Sequence, residues 1–479
     1  MLAILIVRPF DMTNFRSRGV AVDGHLAVTI EMAANEAFCG VPSSIDGLGL
    51  GTAIQENPAF DDVPLRQVIE TIFGSLPSFC SKKKYPFTNN ENALYFAYTA
   101  ALRLWPSAST IGLAELVTTA RVLMIGFIAF TMIVLGFGAL WAFVSAFLGL
   151  KLHVILVETH ILSIYPFMTF QLAVLCGLVV LGYAVGSQHG WSMPLRIAYG
   201  AVLGLVTVAI WNMRISQGLM ATFALAGIGG LLLLRGREFA AGANRWTSVA
   251  VATASCLVVG IGLHAMLLQK IADTGYNAAH HPIAHPLVLG LGVPSNPLAT
   301  REGIKWDDPV GIELARRADP DATFLGPTYE HALFSYYFDL WRKYPVEMLG
   351  IYLSKFNVAG KGIRPQTAQY IGPIAYWTLK PAAWLMASGW LWLLSLIAVG
   401  LTGAFLFVRS GAPLALAAAF FGASGVMLLS EHAITLPAFN FGHFGALAEW
   451  AFLFALGLNQ LIVNGCVRLA QTAQQRFFG

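Results

Sequence analysis

Six long stretches of this chain contain no Asp, Glu, Lys or Arg: 161–188, 197–213, 215–234, 246–269, 381–408 and 412–430. A seventh, 445–466, holds only Glu449. About 20 mostly apolar residues suffice for a helix to cross the hydrocarbon core of a bilayer. Lipid offers no partner for backbone N–H and C=O groups, so segments of this kind satisfy themselves as helices. The whole chain fits that solution. Only 11% of its 479 residues are charged and 57% are hydrophobic, against about 25% charged in ordinary soluble domains. The net charge of +4 is too small for a nucleic-acid footprint.

Charge placement is more informative than charge content. Of the 25 acids, 21 fall within 10–115 and 269–380, so two long polar loops interrupt an apolar chain. The stretch 122–157 holds only Lys151 and His153 as ionisable groups and reads either as one long helix or as two spans folded at Gly136-Phe137-Gly138. The side on which cations lie decides between them. Short cytoplasmic connections are enriched in Lys and Arg. With two spans in 122–157, Arg196, Arg235, Arg237, Arg245, Arg409, Arg468 and Arg476 share one side and both long loops face the other.

The expected fold is therefore an all-α polytopic membrane protein of about ten transmembrane helices, with two large extracytoplasmic loops bearing juxtamembrane helices. Residues 1–9 read as a partial first span and 10–115 as the first loop. Spans two to seven occupy 116–268, the second loop 269–380, spans eight to ten 381–466, and a cytoplasmic tail 467–479. This places the chain in the cell (plasma or inner) membrane, with any site on the extracytoplasmic side. Cys39 and Cys80 share the first loop; they read either as a disulfide, which an oxidising compartment permits, or as two free thiols.

Within the loops, Asn90 to Trp105 and Tyr329 to Phe356 repeat aromatic and apolar residues at near-helical spacing. Both suit interfacial helices with Tyr and Trp at headgroup depth. Asp23, just beyond the first span, has two readings: a general base toward a hydroxyl close to the membrane, or an ordinary Asp-Gly turn. Arg214, in a very short connection on the loop-bearing side, suits bidentate phosphate binding or an ion pair with Glu158. His281 and His285 are four apart, but the prolines around them oppose one regular helix. No further metal-ligand pattern accompanies them, so a histidine-lined pocket for a phosphate or hydroxyl fits better than a metal site, and a divalent metal stays an open alternative. Glu431, His432, His443 and Glu449 cluster near the last external connection, as pocket-lining groups or as partners of loop cations.

Taken together these residues resemble the GT-C superfamily of integral-membrane glycosyltransferases, in the style of the protein-mannosyltransferase and aminoarabinose-transferase branches. Val22-Asp23-Gly24-His25 matches the family's acid after the first span. Glu91-Asn92-Ala93-Leu94-Tyr95 and Ala120-Arg121 match its loop segment and second span. Glu158 matches a second acid, and Gly200, Gly204 and Arg214 match a Gly-rich span followed by a basic residue. The resemblance implies inverting transfer of a sugar from a polyprenyl-phosphate donor to a glycan, lipid or protein acceptor. Asp23 and Glu158 would be the catalytic acids, and Arg214 with Lys355, Lys361 or Arg364 would neutralise the leaving phosphate. His25, His160, His281, His285, Tyr329, Glu330 and His432 would line the substrate pocket. The family's acidic pair is a single Asp here, and its Leu-Thr-Lys-Gly reads Asn212-Met213-Arg214-Ile215. Two other classes compete: a polysaccharide ligase or polymerase of the outer face, and a transporter, which predicts inverted repeats that the halves of this chain do not display.

Overall fold

The fold is taken from a computed structural model that describes residues 24–41, 44–45, 49–82, 84–85, 92–134, 146, 171–189, 192–213, 215–236, 243–272, 283–323, 328–359 and 388–434. Among these the chain is helical, apart from a two-residue antiparallel ladder of β1 (Ser44–Ile45) with β2 (Lys84–Tyr85). Three bodies of packed helices follow from the charge pattern.

The first loop forms its own core. Helices α1 (Gly24–Cys39), α2 (Leu50–Glu56), α3 (Leu65–Phe73), α4 (Leu76–Cys80) and α5 (Asn92–Leu104) bury Ile30, Ala33, Leu50, Leu65, Ile69, Phe79 and Leu102 together. Cys39 and Cys80 are joined in a disulfide that ties the end of α1 to α4. Glu31 accepts the Gly51 amide at 2.6 Å, and Glu36 takes Arg103 at 3.2 Å, so two of the loop's acids hold helices together. Helix α5 forms where expected, but Tyr95 and Tyr98 point into this core and are buried. They are therefore core side chains, not headgroup anchors; Trp105, at the helix end, is exposed.

The bundle comprises α6 (Thr110–Val134), α7 (Gln171–His189), α8 (Met193–Met213), α9 (Ile215–Gly236) and α10 (Ala243–Ala272). Lipid gives helices no hydrophobic reason to associate, so small residues that let backbones approach become decisive. A Cβ at Gly204 would stand 2.6 Å from the Cys256 carbonyl, and one at Gly200 would strike the Ala252 carbonyl. Gly200 and Gly204 thus seat α8 against α10.

The second loop holds α11 (Ala284–Gly290), α12 (Pro297–Glu302), α13 (Asp308–Ala318), α14 (Tyr329–Lys343) and α15 (Pro345–Ala359). Leu289, Leu298, Leu314, Leu333, Leu340 and Met348 form its core. The single helix expected over Tyr329 to Phe356 is two, parted at Tyr344, because Pro345 cannot supply the next helical N–H. Tyr329 and Tyr336 face the core here as well.

Helices α16 (Gly389–Ser410) and α17 (Pro413–Ile434) form a hairpin closed by Gly411 in the left-handed conformation (φ 66°). They touch along Gly400 and Gly422, where a Cβ on Gly422 would collide with Gly400 and one on Gly400 would be tight. At that turn Arg235, from the end of α9, donates to the carbonyls of Phe407 and Val408. The other end of the hairpin meets the second loop: Lys355 Nζ donates to the Ile434 carbonyl at 2.8 Å. Met213, at the end of α8 that adjoins α9, is packed into the first loop's core. Both loop cores consequently lie at one end of the bundle, and Arg196, Arg235 and Arg409 at the other.

Candidate functional site

Three residues singled out in the second loop come together. His285 Nδ1 lies 2.7 Å from the Tyr329 hydroxyl and its Nε2 lies 3.2 Å from the Asp308 carboxylate. Glu330 accepts the Ile283 amide at 2.9 Å, satisfying an orphan N–H at the start of α11. Gly311 makes the arrangement possible, since a Cβ there would sit 2.6 Å from the Tyr329 hydroxyl and 3.0 Å from His285. Burial lowers the His285 pKa, with the Asp308 charge opposing it, and burial raises that of Tyr329. A neutral imidazole with Nε2–H toward Asp308 and the Tyr329 hydroxyl donating to Nδ1 satisfies all three groups. Chemically the cluster is a proton-ordered clamp across α11, α13 and α14. Tyr329 is 1% exposed, so no substrate meets its hydroxyl, and the clamp holds the domain together. Asp308 and Gly311 carry no local signal of membership, since Asp308 meets His285 across 23 residues and Gly311 lies beside Tyr329 only in the folded chain.

A second locus is the seam between α15 and the hairpin. Lys355 is fully buried, with its ammonium on the Ile434 carbonyl and 5.4 Å from the Tyr352 ring. Burial pushes its pKa down to about 7, while the carbonyl end of a helix favours the charged form. The Phe356 ring packs tilted against Trp390 with centroids 5.0 Å apart, and the Phe356 carbonyl occupies the place a Gly389 side chain would need. Lys355 thus fastens α15 to α17; binding a phosphate would require it to leave that carbonyl.

Asp23, Glu158, Arg214, Lys361, Arg364, His160 and His281 lie outside the described residues. His25 is on α1 and His432 on the last turn of α17, with only their backbones described. Their described neighbours are informative. Asp23 directly precedes α1 of the first loop. The residues flanking Arg214 end α8 and begin α9 at the loop-bearing end. His432 is two residues before the carbonyl that holds Lys355. Among the described residues no three His, Cys, Asp or Glu side chains are grouped to hold a metal ion.

Three helices among the described residues, Met193–Met213, Gln217–Arg235 and Gly389–Ser410, are long and apolar enough to cross a membrane. The class is that of a helical membrane protein carrying two folded polar loops. Compared with protein-family models, curated proteins and solved structures, the chain matches none.

Proposed function

We propose that the chain is a ten-span membrane glycosyltransferase of GT-C type, transferring a sugar from a polyprenyl-phosphate donor on the face that carries both loops. The observation that carries this reading is the placement of both loop cores at one bundle end, away from Arg196, Arg235 and Arg409. An enzyme that meets a lipid-borne donor and a polar acceptor needs such a two-sided roof over the membrane surface. The span count draws support from helix direction. Helices α6 and α7 both run away from the loop-bearing end, as Leu113 in the first loop's core and the Tyr199–Leu178 bond between α7 and α8 indicate. Those directions fit the proposed second span in 122–157.

In the proposed reaction Asp23 takes the proton of an acceptor hydroxyl, whose oxygen attacks the anomeric carbon. The bond from that carbon to the phosphate oxygen breaks with inversion, and the polyprenyl phosphate leaves. Arg214, with Lys361 and Arg364, neutralises the charge that develops on it, and Glu158 assists as the second acid. The test is mass spectrometry of lipids retained after gentle extraction of the purified protein. A bound polyprenyl phosphate or its sugar conjugate is expected. Repeated absence of both, with other phospholipids retained, overturns the reading.

A further inference from the structure

Helix α15 has one buried face and an apolar face opposite it. Met348, Ile351 and Lys355 turn inward and are buried. On the other side Val346, Leu349 and Leu353 are 78%, 53% and 45% exposed. Their spacing of i, i+3 and i+7 lines them up in one stripe. Aliphatic side chains aligned in this way mark a surface meant to be covered.

What covers it follows from where the helix ends. Lys355 and Phe356 dock on Ile434, Gly389 and Trp390, the loop-bearing ends of α16 and α17. From that contact the exposed side chains of α16 continue into the membrane through Leu391 and Leu394, 43% and 60% exposed. The C-terminal end of α15 thus stands beside the point where α16 begins its apolar run. Above it, Tyr352 stacks on Trp341 and bonds the Tyr337 hydroxyl at 2.7 Å. Arg342 and Lys343 are exposed just before the helix. Aromatic hydroxyls and cations over an aliphatic stripe match the polarity gradient of a bilayer interface.

We infer that the Val346–Leu349–Leu353 face of α15 lies among the acyl chains of the adjoining leaflet, so that the second loop's domain rests on lipid as well as on the hairpin. Helix α14, the other half of the aromatic stretch, buries Leu333, Tyr336 and Leu340 in the domain core. The inference stands apart from the glycosyltransferase reading, since it needs only a bilayer.

The test places the photoreactive residue p-benzoylphenylalanine at Leu349, Leu353 or Val346, one at a time. The full chain is embedded in nanodiscs of phosphatidylethanolamine and phosphatidylglycerol. Leu394 on α16 and Glu313 on α13 give the lipid-facing and water-facing references, and thermal unfolding verifies each labelled protein. Phospholipid adducts at the three positions are expected in yields near that of Leu394 and at least tenfold above Glu313. A cross-linked dimer would make a second copy of the chain the occupant and overturn the inference. Yields no higher than at Glu313 would place the stripe in water and overturn it equally.

Discussion

At the scale of single residues, the described side chains hold the architecture while the chemistry is assigned to their neighbours. His285 illustrates the point: two partners and the space left by Gly311 make it a clamp. Lys355 is similar, but its burial has a consequence in solution. Its pKa falls from 10.5 to about 7 in the folded protein. Between those values the unfolded chain binds the extra proton and the folded one does not, so folding stability rises with pH there. The penalty is complete below about pH 7 and absent above 10.5. Comparing wild type with Lys355→Met cancels the other titrating groups. From pH 7.5 to 9.5 wild type is expected to gain on the order of 2 kcal/mol relative to the variant. Thermal unfolding across that range checks it, and parallel pH curves would show that the amine keeps its ordinary pKa. Asp23 belongs at this scale too. Asp23→Asn is expected to lower transfer by at least the 10²-fold typical of a general base, with unfolding temperature unchanged. A variant that turns over at the wild-type rate removes Asp23 from the reaction.

At the scale of helices, the seams between spans rest on glycine. Gly204 touches the Cys256 carbonyl, whereas a side chain at Gly262 on α10 would meet nothing within 4 Å. Gly204→Leu therefore forces α8 and α10 apart and should cost about 1–3 kcal/mol, while Gly262→Leu is expected to be neutral. Unfolding of the two variants in the same detergent separates a packing role from a loss of backbone freedom, which both share. Gly200 and Gly204 entered the sequence argument as part of a donor-site resemblance, and their contacts give them a packing duty first. This shows what the sequence carries. An apolar run is written in consecutive residues, so helices over 193–213, 215–236, 243–272 and 413–434 arise close to where the run ends say. Periodicity also reveals which face of a helix is apolar, but not what covers that face. Tyr95 and Tyr98 therefore read as bilayer anchors and turn out to be core, because α1 packs against α5. Only the break at Pro345, a local backbone rule, could have split α14 from α15 in advance. The pairing of Asp308 with His285 had no local signal at all.

At the scale of the molecule, two lines of reasoning meet on the same arrangement. One counts cations: the short basic connections are to share a side that the long acidic loops avoid. The other ignores charge and follows contacts. Met213 enters the first loop's core and Ile434 holds the second loop's helix. Arg235 joins α9 to the turn of the hairpin at the far end. Helices α9 and α16 both run from the loop-bearing end to that far end, so the two loop cores share one end of the bundle. This makes a prediction that a wrong span count in 122–157 cannot imitate, because counting one span there puts the loops on opposite sides. Protease sites inserted beside Asn57, beside Trp306 and within 237–242 report the three positions in sealed vesicles of known orientation. Asn57 ends α2 and Trp306 lies in the connection from α12 to α13; both are exposed, so insertion there disturbs little packing. They should be cut from the same face, and the third only from the opposite one or after the membrane is opened. Cleavage beside Asn57 and Trp306 from opposite faces would break the shared roof, and with it the placement on which the catalytic proposal depends.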